Sequence, residues 1–157
     1  MAKPTVGKKV PAFSLPSTGG GSFQLKDALG KHLVIYFYPK DATPGCTLEG
    51  ADFAALAPAF KKARTAIVGI SGDTLAAHEK FKAKMAFPFE LLADTDRAVC
   101  KLYDVIREKS LYGRKFLGIE RSTFLIDGGG VLVREWRKVK VKGHADEVLQ
   151  AAQSIDR

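Results

Sequence analysis

The chain has 157 residues, of which 46% are hydrophobic and 27% charged, enough to build a core without disulfides or a structural metal. Its two cysteines, Cys46 and Cys100, are too few for a disulfide scaffold or a Cys-x-x-Cys zinc site, and no apolar run approaches the ~20 residues of a membrane helix. The net charge of +8 raises nucleic-acid binding, but the 25 Lys and Arg are interleaved with 17 acids and with no base-stacking aromatics, so neither a nucleic-acid nor a membrane partner is expected.

The opening "MAKPTVGKKVPAF" has basic residues but no apolar h-region, which argues against a secretory signal and for a cytoplasmic location with both thiols reduced. Up to about residue 30 the chain reads as loop and short strand, with "STGGGS" (17–22) as a turn before "FQLKDALG". "HLVIYFY" (32–38) has no polar alternation and predicts a central strand buried on both faces. From Cys46 to Arg64, Leu48, Phe53, Leu56 and Phe60 recur at helical spacing. "TAIVGIS" (65–71) predicts a second buried strand, and "DTLAAHEKFKAKMA" (73–86) a helix capped by Asp73 or Thr74. "FELLAD" (89–94) reads as a short strand and "DRAVCKLYDV" (96–105) as a helix.

Beyond these, "GIERSTFLID" (118–127) and "VLVREWRKV" (131–139) predict a hairpin around "DGGG". In "REWRKVKVK" (134–142), Lys138, Lys140 and Lys142 alternate with Val139 and Val141, the pattern of a strand whose lysine face blunts a sheet edge. "HADEVLQAAQSI" (144–155) closes the chain as an amphipathic helix. The order βαβαβα followed by ββα predicts one α/β domain over 1–157, a thioredoxin-like sandwich with a central mixed β-sheet and helices on both faces.

The chemistry-bearing stretch is "YFYPKDATPGCTLE" (36–49). Pro39 ends the strand because it has no N–H for a ladder. Thr43 is a good N-cap and Pro44 suits the first helical position, which makes Cys46 the third helical residue with the Thr43 hydroxyl expected beside it. Free N–H groups and the helix dipole favour negative charge there. An ordinary thiol titrates near 8.5, and bringing one to about 6 takes roughly 3.4 kcal/mol, whereas a helix end supplies at most ~2. A cation is therefore required. Arg121 interrupts an otherwise apolar strand on the face of Ile119, Thr123 and Leu125, which points it inward; an arginine reaching solvent from a strand end is the alternative. Ionisation alone gains only ~30-fold at pH 7, and less once the lower nucleophilicity is counted. Thr43, the Cys46 amide and an arginine would serve better by stabilising a departing atom, which suits a small substrate with a leaving oxygen.

These residues resemble the peroxiredoxin active-site signature, in which Thr and Cys stand at the fourth and seventh positions after a Pro, and "ERSTFLID" resembles the strand that supplies that family's arginine. The stretches "GKKVPAFSLPSTGGGSFQL", "FELLADTDRAVCKLYDV" and "KVKVKGHADEVL" resemble the Q-type branch, the bacterioferritin comigratory proteins, over about residues 3 to 155. The resemblance implies a thiol-dependent peroxidase for hydrogen peroxide and organic hydroperoxides, needing no metal, haem or flavin. Cys46 would be the peroxidatic nucleophile, passing through a sulfenic acid. Thr43 and Arg121 would polarise the peroxide, Pro39 would shield the sulfur, and Glu49 would orient the arginine. Without the resemblance, Glu49 reads as a helix-surface acid near the positive end of the dipole.

Many Q-type members carry a resolving cysteine five residues after the first, where this chain has Ala51; others carry it on the helix matching 73–86, which here has none. Cys100 lies beside the apolar stripe Val99, Leu102, Tyr103 and Ile106, and reads either as a semi-buried structural cysteine or as a resolving one. The expectation is a one-cysteine cycle completed by an external thiol such as thioredoxin, glutaredoxin or glutathione, in a monomer or weak dimer. The alternatives are an atypical two-cysteine cycle through Cys100 and a non-enzymatic basic interaction module. A thiol–disulfide oxidoreductase is disfavoured because Glu49 stands where a second Cys-x-x-Cys cysteine belongs. A cysteine hydrolase is disfavoured because His32, His78 and His144 all read as surface residues away from Cys46.

Overall fold

The computed structural model describes residues 3–155. β1 (Ser14–Pro16) and β2 (Ser22–Gln24) form an antiparallel ribbon around the glycine turn and lead into a single turn of helix, α1 (Leu25–Ala28). An alternating run follows, as the sequence predicts: β3 (His32–Phe37), α2 (Pro44–Lys62), β4 (Thr65–Ser71), α3 (Leu75–Met85), β5 (Glu90–Ala93) and the short α4 (Ala98–Leu102). The remainder is β6 (Ile106–Leu111), β7 (Arg114–Ile119), β8 (Ser122–Ile126), β9 (Leu132–Trp136) and α5 (His144–Ile155). Thr74 caps α3 by accepting the Ala77 N–H at 3.2 Å.

Five strands make the central mixed sheet in the order β5-β4-β3-β8-β9, parallel among β3, β4 and β5 and antiparallel from β3 to β8 to β9. With helical layers on its faces this is the expected thioredoxin-like sandwich. The period of two along β3 divides the interior. Leu33, Ile35 and Phe37 face a core that includes Cys100, Tyr103 and Phe124, whereas Val34, Tyr36 and the adjoining Tyr38 face one that includes Cys46, Phe53, Phe60 and Val148. The second core is closed by α2 packing against α5.

Three expectations need correction. Residues 106–119 form the β6–β7 hairpin, of which the sequence reading leaves 106–117 unassigned and gives 118–119 to the following strand; Leu111 pairs with Arg114 across Tyr112 and Gly113, both at positive φ (50° and 78°), as a type I′ turn requires. No strand runs through 138–142, because β9 ends at Trp136 and Lys138 has a left-handed φ of 49°. The Lys–Val alternation persists only as exposure, with the three lysines outward and the two valines half-buried. Arg121 lies not within a strand but in the break between β7 and β8.

Candidate active site

The loop after β3 delivers Cys46. The last ladder bond is Tyr38 N–H to the Ile70 carbonyl at 3.1 Å, and the half-buried Pro39 then turns the chain out of the sheet. Thr43 is the extended N-cap of α2 with Pro44 at the first helical position, as the sequence predicts. Its hydroxyl is not a capping acceptor, however: it donates to the Lys40 carbonyl at 2.8 Å. The oxygen lone pairs stay available, and the first bond of the helical ladder is Thr47 N–H to the Thr43 carbonyl at 2.8 Å, behind the Cys46 amide.

One guanidinium ties the site together. Arg121 Nη2 donates to Cys46 Sγ at 3.3 Å, and Nη1 donates to Glu49 Oε1 at 2.6 Å. Cys46 is 2% exposed and Glu49 1%. Glu49 is thus no helix-surface acid; it lies one turn after Cys46 and faces the same way into the protein. Arg121 has its side chain only 15% exposed, and its carbonyl accepts the Val139 N–H at 3.0 Å, so the loop before α5 fixes the residue from behind. The glycine of "TPGC" has a local reason, since a Cβ on Gly45 would stand 3.1 Å from Arg121 Nη2.

Burial pushes the Glu49 carboxyl up from an ordinary 4.5 to about 7, against the downward pull of Arg121. Burial works against the charge on Arg121 too, but the neighbouring Glu49 and Cys46 outweigh it and hold the guanidinium above its usual value. A second cation escapes the sequence reading. Lys109 on β6 lays its stem across Gly118 and donates from Nζ to the Ile119 carbonyl at 2.6 Å. Burial, and then the nearby Arg121, lower its pKa, while Cys46 acts to raise it. Glycine at 118 leaves room for that stem, since a Cβ there would meet Lys109 Cδ at 3.0 Å.

Cys100 belongs to the other core, across the sheet from Cys46. Both are free thiols, and Cys100 is fully buried. Burial, and then a hydrogen bond to Asp94, push its thiol well above the ordinary range. The histidines also depart from expectation, since His78 and His144 are buried at 0% and 6% exposure. His144 Nε2 is 2.8 Å from Thr123 Oγ1, and burial lowers its pKa to about 4, so the ring is neutral at pH 7.

The arrangement offers a buried sulfur that accepts a hydrogen bond from a fixed cation at the start of a helix. A family model described as the AhpC/TSA family matches residues 6–135. Peroxiredoxin Bcp of Xanthomonas campestris pv. campestris is 55% identical over 141 residues, which cover 88% of each chain. A solved structure of the Xanthomonas campestris bacterioferritin comigratory protein, studied for its alkyl peroxide reduction activity, superposes with a TM-score of 0.88 at 51% identity over 92% of each chain. A cysteine-to-serine variant of Xylella fastidiosa PrxQ superposes with a TM-score of 0.93 at 39% identity over the whole of both chains. No helix among the described residues is long and apolar enough to cross a membrane.

Proposed function

We propose a one-cysteine catalytic cycle for this chain, which belongs to the AhpC/TSA family, in its peroxiredoxin Q (Bcp) branch, and is a thiol-dependent peroxidase. The observation that carries the site assignment is the Arg121 guanidinium shared between Cys46 Sγ and Glu49. A guanidinium donating to sulfur stabilises negative charge there and adds the cation that the helix terminus alone lacks.

In the first step the Cys46 thiolate attacks the terminal, proton-bearing oxygen of the hydroperoxide. An S–O bond forms as the O–O bond breaks, leaving Cys46 as a sulfenic acid and releasing an alkoxide, or hydroxide from hydrogen peroxide. The proton lost from the thiol ends on this leaving oxygen, giving an alcohol or water. Arg121 and the Cys46 amide are the donors for the charge that develops. Because the Thr43 proton is committed to Lys40, its oxygen acts as an acceptor and orients the peroxide O–H. Pro39 shields the sulfur, and Glu49 aims the guanidinium.

Regeneration needs two equivalents of thiol. One attacks the sulfenic sulfur to give a mixed disulfide and water, and the second releases Cys46. The position of Cys100 supports an external source for both, since it is buried in the core on the opposite face of the sheet. Thioredoxin, glutaredoxin and glutathione all fit the chemistry. The non-enzymatic reading falls away with the family assignment.

The cycle is tested by mass spectrometry of protein treated with peroxide in the absence of reductant. Sulfenic or sulfinic acid should accumulate on Cys46, and a stoichiometric Cys46–Cys100 disulfide would overturn the one-cysteine reading. In steady-state peroxide consumption with dithiothreitol, Cys46→Ser should abolish turnover; undiminished activity would remove Cys46 from the mechanism.

A further inference from the structure

An external thiol must reach Cys46, a residue only 2% exposed. The Pro39–Thr43 loop and the first turn of α2 therefore have to yield during regeneration, and the contacts that hold that loop become part of the cycle. Its central residue, Asp41, is buried at 8% exposure and turned into the protein. Asp41 Oδ2 lies 2.6 Å from His78 Nδ1 on α3, and Oδ1 accepts the Tyr38 hydroxyl at 2.6 Å. The Asp41 N–H donates to Asp73 Oδ2 at 2.9 Å, and that oxygen also accepts the Ser71 hydroxyl at 2.5 Å. His78 Nε2 lies 2.9 Å from the Leu92 carbonyl on β5.

The cluster is closely knit. The Asp41–His78 contact is short and shielded from water, and the Tyr38 hydroxyl lies 3.5 Å from His78 Nδ1 as well as on Asp41 Oδ1. Asp41, Asp73 and His78 are ligand types near enough to one another to hold a cation. The same atoms are already engaged in these hydrogen bonds, which instead join the loop to α3 and β5.

We propose that His78 is a positioning residue: acting through Asp41, it clamps the Pro39–Thr43 loop over Cys46 and sets the balance between reaction with peroxide and admission of the external thiol. The inference rests on the one-cysteine cycle above. The peroxide step needs Thr43 and the start of α2 in place, which the closed clamp provides. The reduction step needs sulfur exposed, which the clamp opposes. Weakening it should therefore move the two steps in opposite directions, whereas general destabilisation slows both.

The test uses the full chain with His78→Gln and Asp41→Asn, singly and combined, and with Tyr38→Phe as a milder change that removes one bond to Asp41. Reduced protein is labelled with iodoacetamide or with a bulky maleimide, and each cysteine is quantified by peptide mass spectrometry. Cys100, in the opposite core, reports global opening. For His78→Gln, the ratio of maleimide to iodoacetamide labelling at Cys46 should rise roughly tenfold, with Cys100 still protected. Tyr38→Phe should fall between, and the double variant should show less than the sum of the single effects because both remove one bond. Rapid-quench measurements should find slower oxidation by hydrogen peroxide and faster reduction of the sulfenic acid by dithiothreitol. An unchanged labelling ratio, parallel loss of protection at both cysteines, or a fall in both rate constants would overturn the clamp. Labelling of reduced protein requires no turnover, so a wild-type chain that forms no Cys46 sulfenic acid would refute the cycle without altering this readout.

Discussion

Glu49 pairs with the Arg121 guanidinium at a cost to stability. Its side chain is 1% exposed, with Oε1 on Arg121 and Oε2 without a hydrogen-bond partner among the described residues. Burial raises its folded-state pKa to about 7 from an ordinary 4.5, so the folded chain binds this proton more tightly than the unfolded chain does. As pH rises from 4.5 to 7, stability due to this group therefore falls, by on the order of 3 kcal/mol, and then levels off. Urea unfolding across that range should show wild type losing this amount relative to Glu49→Gln. A pH-independent difference between the two would refute the assignment. The slope carries the test, because Glu49→Gln also strips Arg121 of its partner and shifts the absolute stability.

At the scale of elements, α2 carries both Cys46 and Glu49, and its seat depends on Gly50. A Cβ there would stand 2.4 Å from Phe87 Cζ, so the helix meets the segment before β5 at a distance only glycine allows. By helix propensity alone, alanine would add about 1 kcal/mol; overpacking costs about 1–3. Gly50→Ala should lower the thermal midpoint by a few degrees and reduce peroxidase activity with it, since the displaced helix carries the sulfur. A raised midpoint would show that Phe87 gives way. Elements whose burial is written in apolar runs are legible in the sequence, β3, β4 and α5 above all. The β6–β7 hairpin is not, because its turn uses Tyr112 where Asn or Asp is usual and its strands present Leu111, Phe116 and Leu117 outward. Thr43, Cys46, Glu49 and Arg121 are recognisable from local spacing and the resemblance. Lys109 and His78 become visible only when distant segments meet, since nothing in a local pattern marks a polar side chain that tertiary contacts will bury.

At the scale of the molecule, the sheet lies between the two sulfurs, and each belongs to a different core. The proposed cycle therefore assigns Cys100 to stability rather than to turnover. Its N–H donates to Asp94 Oδ2 at 2.7 Å, and its thiol is fully buried. Cys100→Ala should cost about 1–3 kcal/mol in unfolding free energy while leaving the rate constant for consumption of the Cys46 sulfenic acid, measured well below the thermal midpoint, unchanged. A comparable fall in that rate constant would place Cys100 in the cycle. The partition also governs what becomes of the oxidised protein. Under the proposed cycle, with no thiol on its own side of the sheet, each sulfenic acid would wait for a molecule from solution, its waiting time lengthening in proportion as that supply runs down. A second peroxide arriving first would drive the sulfur to the sulfinic state. The fraction of chains so marked would then record the ratio of peroxide to thiol the protein has met, a memory that a chain with both sulfurs on one face would erase at every turnover.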